Sequence, residues 1–449
     1  MARSIRWLVM SSVVSASAAV ADPGEFPEGW RAESPRDEIR PVMRYEPSGG
    51  PRGTGAFVIT SDASPGRHGW VQKTFSVCAG KTYEFAVLRR TENVPSPRRS
   101  TPVRIVWHDY QGKQVRAAAR TEEELSGRPV PSAEPEHPLD GPTDERGWTS
   151  IGGRYVVPPC ATRAIVELHL QWASNASAEW ADASLRECAA IEPRMVGLAT
   201  IHFKPTAGSP EANRSQFVPL VARAAEQGAD LVVLGETVTS VGVGRKPHEV
   251  AEPLPGPTSD FFGGLAREHG LHLVVSLYER DGDLVYNSAI LLDPEGRLVG
   301  TYRKVCLPHS EIESGVMPGD DYPVFSTRLG RIGMMICYDG FFPEVARELT
   351  KRGAEVIAWP VWGCDPLLAQ ARANENRVHI VSSTYMPPTS NWMLSAVYGR
   401  DGRPLASAET PGDVVVHRVD LSEHRVGPYN LGAFHDMVQR HRPEPVRAD

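Results

Sequence analysis

Ile332-Gly-Met-Met-Ile-Cys337 is a strand-like apolar run that ends in a thiol, and two earlier stretches have the same build: Leu231-Val-Val-Leu-Gly-Glu236 and Thr301-Tyr-Arg-Lys304. In α/β folds, a polar residue at the end of a buried strand is where chemistry is usually placed, because the strand fixes the backbone while its tip opens into a crevice. Taken alone, each run reads as packing. A Cys after an apolar run is ordinarily a small core residue, and a Glu or Lys near a strand end is ordinarily solvated. The three together, in the order Glu236, Lys304, Cys337, read as an enzyme with a cysteine nucleophile.

The surroundings of the three residues sharpen that reading. Gly235-Glu236-Thr237 follows a helix-like segment, Glu211 to Gly228, and a strand, Asp230 to Leu234. The lysine stands in Tyr302-Arg-Lys304-Val-Cys306-Leu-Pro308, and the cysteine in Gly333-Met-Met-Ile-Cys337-Tyr338-Asp339-Gly-Phe-Phe-Pro343-Glu344. Further on come Ala371-Arg-Ala-Asn-Glu-Asn376 and Tyr398-Gly-Arg-Asp401-Gly402. From about Arg194 to Leu421 these motifs resemble the nitrilase (carbon-nitrogen hydrolase) superfamily: its Y-R-K-x-H-L-P, its C-Y-D followed by F-P-E, its R-A-x-E-N helix and its closing D-x-G hairpin. Cys306 stands where the family often has His. The order of strands and helices in this half independently reads as α/β with helix-covered sheets. The resemblance implies a four-layer α-β-β-α sandwich and pairing into a homodimer or higher homo-oligomer.

A thiol needs help before it attacks an amide or nitrile carbon, because an unperturbed Cys is only about a few per cent thiolate at neutral pH. Glu236 is the candidate general base, serving first the thiol and later the hydrolytic water. Lys304 is a cation beside the thiol, suited to stabilising a developing oxyanion together with the backbone N–H of Tyr338. The expected reaction is a thioester acyl-enzyme formed with loss of ammonia or an amine, then hydrolysed. The resemblance also implies a second glutamate in the loop Pro308-His-Ser-Glu311-Ile-Glu313-Ser314-Gly-Val-Met-Pro-Gly319. Glu311 and Glu313 are both candidates, and Glu313 is preferred because an E-S pair before P-G is similar to the family pattern. It further implies substrate contacts after the strand ending Trp359-Pro-Val-Trp362-Gly-Cys364, which nominates Trp362 and Cys364.

The first half has another character. Arg3 and Arg6 precede an apolar stretch and Ala19-Val-Ala21, the layout of a cleavable secretory signal over residues 1–21, which predicts a secreted or periplasmic protein. A linker is expected over 22–38 and a β-sandwich over 39–190, from period-two runs such as Trp70 to Cys78, Thr82 to Leu88, Val103 to Trp107 and Ala164 to Leu170. These runs resemble galactose-binding-like jelly rolls, which implies a bracing module or one that holds a glycan or a protein partner. Thr121 to Arg146, rich in Pro, Glu and Gly, reads as a long exposed loop. The hydrolase-like domain is expected over 191–425, and a tail over 426–449. Cys78, Cys160 and Cys188 allow one disulfide in the sandwich.

With 449 residues there is room for two full cores, and a formal charge of −7 offers no basic surface for nucleic acid. No phosphate-binding glycine loop and no zinc-spaced Cys/His pattern occurs, so neither cofactor nor metal is expected. Two functions compete: a C–N hydrolase acting on a small-molecule amide or carbamoyl compound, less readily on a nitrile, and a silent hydrolase-fold protein that binds through its sandwich. Retention of Glu236, Lys304 and Cys337 favours the enzyme.

Overall fold

Alternation decides what each strand of the second half covers. Leu231 and Val233 point to one core and Val232 and Leu234 to another; Val274 opposes Leu273 and Val275, and Ala289 and Leu291 oppose Ile290 and Leu292. Strands apolar on both faces must be covered on both faces. The computed structural model, which describes residues 26–116, 132–390, 392–423 and 434–441, shows how. One sheet runs in the order Leu298–Arg303, Leu284–Leu292, His272–Asp281, Leu231–Val233, Met195–His202, Asp413–Asp420. A second runs Val324–Thr327, Gly330–Met334, Val356–Pro360, His379–Ser383, Ala396–Tyr398, Pro404–Ser407.

The helices Val218–Glu226 and Pro257–His269 pack Leu220, Val221, Phe262 and Leu265 on the outer face of the first sheet. Pro343–Lys351 and Pro366–Asn376 pack Val345, Leu349, Ala369 and Ala373 with the second sheet and the inner face of the first. The sheets face one another, cross-linked by Thr200 Oγ1 donating to Ser382 O (2.7 Å) and Ser383 Oγ to Ile201 O (2.7 Å). The result is the α-β-β-α order expected. Asp401-Gly402 turns the hairpin that ends the second sheet, and Asp413–Asp420 returns to pair antiparallel with Met195–His202.

The first half builds two antiparallel sheets. Four strands lie in the order Trp30–Glu33, His68–Ser76, Arg163–Gln171, Val103–His108. Six lie in the order Val42–Glu46, Ala56–Thr60, Ser177–Cys188, Thr82–Glu92, Thr149–Val156, Leu139–Thr143. Between them Ile59, Phe85, Trp107, Leu168 and Trp180 form one buried cluster.

Three expectations need correction. The β structure starts at Trp30, inside the stretch read as linker, because Trp30 packs on Phe57 (4.5 Å between centroids) while its strand pairs with His68–Ser76. Leu139–Thr143 is an edge strand where a loop was expected, although its five residues are all exposed, so no apolar period marked it. Within the expected tail, Phe434–His441 is a helix tied to the first half: Asp436, buried, accepts from Arg98 Nε and from Arg440 Nε (2.9 Å). All six cysteines are free, so the allowed sandwich disulfide is not formed. The signal-like segment 1–21 lies outside the described residues, as do 117–131 of the Pro/Glu-rich stretch.

Candidate active site

Each of the three chemical side chains sits just past the end of a strand. Glu236 follows Leu231–Val233, and the chain turns sharply behind it: Thr237 has φ 43°, and its N–H donates to Ser276 Oγ (3.1 Å). Lys304 follows Leu298–Arg303, its N–H donating to Asn287 O (2.9 Å). Cys337 follows Gly330–Met334 and opens a 3₁₀ turn, Cys337–Phe341, with its own φ at 40°. Left-handed backbone at non-glycine residues costs about 1–3 kcal/mol each and persists where surrounding contacts enforce it. Gly340 permits the turn, since a Cβ there would stand 1.9 Å from the Trp359 ring.

Asp339 supplies the enforcing contacts. Its Oδ2 accepts from the Ile336 N–H (2.8 Å) and the Tyr302 hydroxyl (2.7 Å), and its Oδ1 from the Cys306 N–H (2.8 Å). One fully buried carboxylate thus joins the lysine strand to the cysteine turn. Burial pushes its pKa up to about 6, against the pull of those donors. A folded pKa above the unfolded value means that this group adds stability as pH falls through about 6 and withdraws it as pH rises. Asp339→Asn should lower the melting temperature, because an amide nitrogen cannot accept the donors it would face. The variant should also lack the gain between pH 7 and pH 5, which melting curves at both values would reveal.

At the centre, Lys304 Nζ lies 2.9 Å from Glu236 Oε1 and 3.1 Å from Glu311 Oε1, with the lysine 1% exposed. Asn287, fully buried, donates through Nδ2 to Glu236 Oε1 and to Glu311 Oε1, both at 2.8 Å. The other oxygen of Glu236 accepts from the Trp362 N–H (2.9 Å). Burial would depress the lysine's pKa, but Glu236, Cys337 and Glu311 together hold it well above the ordinary value, so it stays an ammonium. Burial pushes the Cys337 thiol well up; Glu236 pushes it further and Lys304 opposes. At rest the sulfur therefore keeps its proton, and Sγ sits 3.3 Å from Gly363 O.

Among the residues nominated from sequence, Glu236, Lys304 and Cys337 are brought together. Glu313 is not: its side chain is 68% exposed and faces His309 at 3.2 Å. Its neighbour Glu311 takes the inner position, because the short helix His309–Glu313 turns residue 311 toward Lys304 and residue 313 toward solvent. Tyr338 is the second residue of the 3₁₀ turn, where the first N–H groups have no partner within the turn. Trp362 touches the site through its backbone, while its side chain is 49% exposed. Cys364 is fully buried in the core cluster and presents no surface to a ligand, a correction to its nomination as a pocket residue.

Asn287, Tyr278 and Tyr385 escaped sequence reasoning. Burial raises the pKa of both phenols, and the nearby Glu236 and Cys337 add to it. The signal for Asn287 was its place, beside Ser288, inside the otherwise apolar strand Leu284–Leu292. Asn287→Ala should leave Glu236 and Glu311 to compete for Lys304 alone, and steady-state kinetics should show kcat down by about tenfold or more.

A thiol, two carboxylates and an ammonium thus converge at the strand ends of a doubled α/β sandwich. A family model described as carbon-nitrogen hydrolase matches residues 195–429, more than half of the chain, and the chain belongs to that family. It is similar to a nitrilase from Pyrococcus abyssi, 38% identical over 262 residues that cover 56% of this chain and 98% of the relative. An omega-amidase from Homo sapiens is 28% identical over 236 residues (47% of this chain, 84% of the relative). A citrullinase from Francisella tularensis is 26% identical over 262 residues (52% and 90%). The chain is thus a hydrolase of carbon–nitrogen bonds other than peptide bonds.

Proposed function

We propose that the protein is an exported amidase-type enzyme that cleaves an amide or carbamoyl C–N bond, less readily a nitrile, through a thioester on Cys337. The observation that carries this reading is the convergence on Lys304 of the Glu236 and Glu311 carboxylates beside a thiol whose proton affinity both Glu236 and Lys304 perturb. Glu236 takes the thiol proton as sulfur attacks the carbonyl carbon, and Lys304 with the Tyr338 N–H holds the oxyanion. The C–N bond breaks as Glu236 passes the proton to the leaving nitrogen, which departs as ammonia or an amine. Water then attacks the thioester, giving a proton to Glu236; the C–S bond breaks and the thiolate recovers that proton. Glu311 holds Lys304 in place, and Trp362 borders the substrate.

Amide and carbamoyl substrates agree with the omega-amidase and citrullinase named among the relatives. Ammonia release over a panel of amides, ureido acids and nitriles tests the reading, with release expected for wild type and lost in Cys337→Ala. Equal release by that variant would overturn it. Export rests on the charged, apolar and A-x-A layout of residues 1–21, so the mature chain is expected to start at Asp22; an N-terminus at Met1 or Ala2 would remove the proposal. The enzyme pairs into a homodimer or larger assembly, and light scattering that found only monomer would contradict this. The β-sandwich before it serves as a binding module for a glycan or a protein partner.

A further inference from the structure

Two consecutive residues of one loop touch both reacting groups. Glu236 follows a strand of the first hydrolase sheet and Cys337 a strand of the second. In the loop between the strand Val356–Pro360 and the helix Pro366–Asn376, the Trp362 N–H donates to Glu236 Oε2 (2.9 Å), and Gly363 O lies 3.3 Å from Cys337 Sγ. Where this loop sits therefore sets where the base stands relative to the nucleophile. Oε1 of Glu236 already accepts from Lys304 and Asn287, so Oε2 is the oxygen with room for the thiol proton, and the Trp362 N–H fixes its direction.

Residues 361–365 belong to no strand or helix, and the half-exposed Trp362 side chain is no anchor for them. The main chain is held instead by the end of the neighbouring strand, His379–Ser383. The Val361 N–H donates to Ser383 O (2.8 Å), and Thr384, fully buried, donates from Oγ1 to Trp362 O (2.8 Å). The Trp392 ring stands against Gly363, so close that a Cβ on the glycine would lie 1.4 Å from its Nε1.

Thr384 is itself held at every polar atom. Its N–H donates to Ser395 Oγ (2.9 Å), its carbonyl accepts from the same hydroxyl (3.0 Å), and its Oγ1 accepts from the Met386 N–H (3.2 Å). Ser395 gives its one hydroxyl proton to Thr384 O, so His202, whose ring lies 2.9 Å from Ser395 Oγ and which burial pushes toward the neutral form, donates from Nδ1. His202 belongs to the first sheet, so this buried chain ties the Thr384 corner to the sheet that carries Glu236. A buried hydroxyl must find an acceptor, and packing alone would account for that. What packing does not account for is the acceptor chosen, the carbonyl of the residue whose N–H holds the base. A supporting residue that locks a reacting group from behind acts by keeping its geometry.

We propose that Thr384 is a positioning residue for the hydrolysis: through Trp362, its hydroxyl holds the Glu236 carboxylate where it can take the Cys337 proton. The inference rests on Glu236 as base and Cys337 as nucleophile. Full-length Thr384→Val, which keeps the shape and removes the donor, and Thr384→Ser, which keeps the donor and removes a methyl, would be compared with wild type in steady-state amide hydrolysis, with Cys337→Ala as control. Thr384→Val should lower kcat by about tenfold or more while KM moves less than about threefold, because a misplaced base slows the chemical step without touching the groups that bind substrate. Thr384→Ser should keep kcat within about threefold of wild type, although it leaves a small cavity that Thr384→Val does not. Hydrogen exchange of the peptide spanning residues 361–365 should be faster than wild type in Thr384→Val and unchanged in Thr384→Ser. If Thr384→Val does not fold, Thr384→Ala removes the same donor with less bulk against the Met386 N–H and takes its place in both measurements. Wild-type kcat in the variant without the hydroxyl, or a loss in Thr384→Ser as deep as that variant's, would overturn the positioning role while leaving the Cys337 reading intact. Absence of amide hydrolysis by wild type would overturn the Cys337 reading, and exchange would then decide for Thr384: a rate unaltered by loss of the hydroxyl would overturn its hold on Trp362 as well.

Discussion

Replacing Lys304 by Met should damage stability and catalysis at once. The ammonium lies 2.9 Å from Glu236 and 3.0 Å from a Glu311 oxygen, in a site where it is 1% exposed. Without it two carboxylates share one buried space with only Asn287 between them. Breaking a buried ion pair by removing one partner costs about 3–5 kcal/mol, because the remaining charge is neither solvated nor paired. Protonation offers partial relief. Burial already raises the Glu311 pKa in the presence of Lys304, and loss of the lysine must raise it further. A carboxyl with a raised folded pKa adds stability below that pKa and withdraws it above, so the loss should be greater at pH 8 than at pH 5. Turnover should fall by about 10²–10³, the usual cost of losing a donor to a developing oxyanion. Chemical denaturation at the two pH values and steady-state kinetics would check both halves.

The second large effect is expected from Glu236→Gln, where two readouts should move in opposite directions. Every observed partner of the Glu236 carboxylate is a donor: Asn287 Nδ2, Lys304 Nζ and the Trp362 N–H. As a charge, the carboxylate pushes the Cys337 pKa up, so removing it should increase the thiolate fraction, which a titration at the thiolate absorption band would record. As a proton acceptor it is what turnover needs, so kcat should fall by about 10²–10⁴. A variant with more thiolate and less activity would assign Glu236 to proton transfer. If thiolate and activity fell together, Glu236 would instead act by electrostatic placement.

Much of this arrangement was legible in the chain because it is local. Leu231–Val233 and Gly330–Met334 announce themselves as apolar runs, and the groups that follow them land at strand ends because the parallel strands align there. What stayed hidden depends on geometry between elements. Glu311 and Glu313 are two residues apart on one short helix and therefore face opposite ways, which no spacing rule distinguishes without knowing where Lys304 lies. Cys364 follows the strand Val356–Pro360 as Trp362 does, yet is buried in the core. Trp30–Glu33 and Leu139–Thr143 are both edge strands: the first escaped because its alternation runs for only four residues, the second because all five of its residues are exposed. The helix Phe434–His441 is held by Asp436 and Arg98, a pair separated by 338 residues.

The most direct test of the central claim is rapid quenching of wild-type protein during turnover of an amide that releases ammonia, followed by peptide mass analysis. The account predicts an acyl mass increment on the peptide containing Cys337, appearing before steady state and absent from Cys337→Ala, which releases no ammonia. Steady ammonia release by Cys337→Ala, or an increment mapped to Cys306 instead, would contradict it.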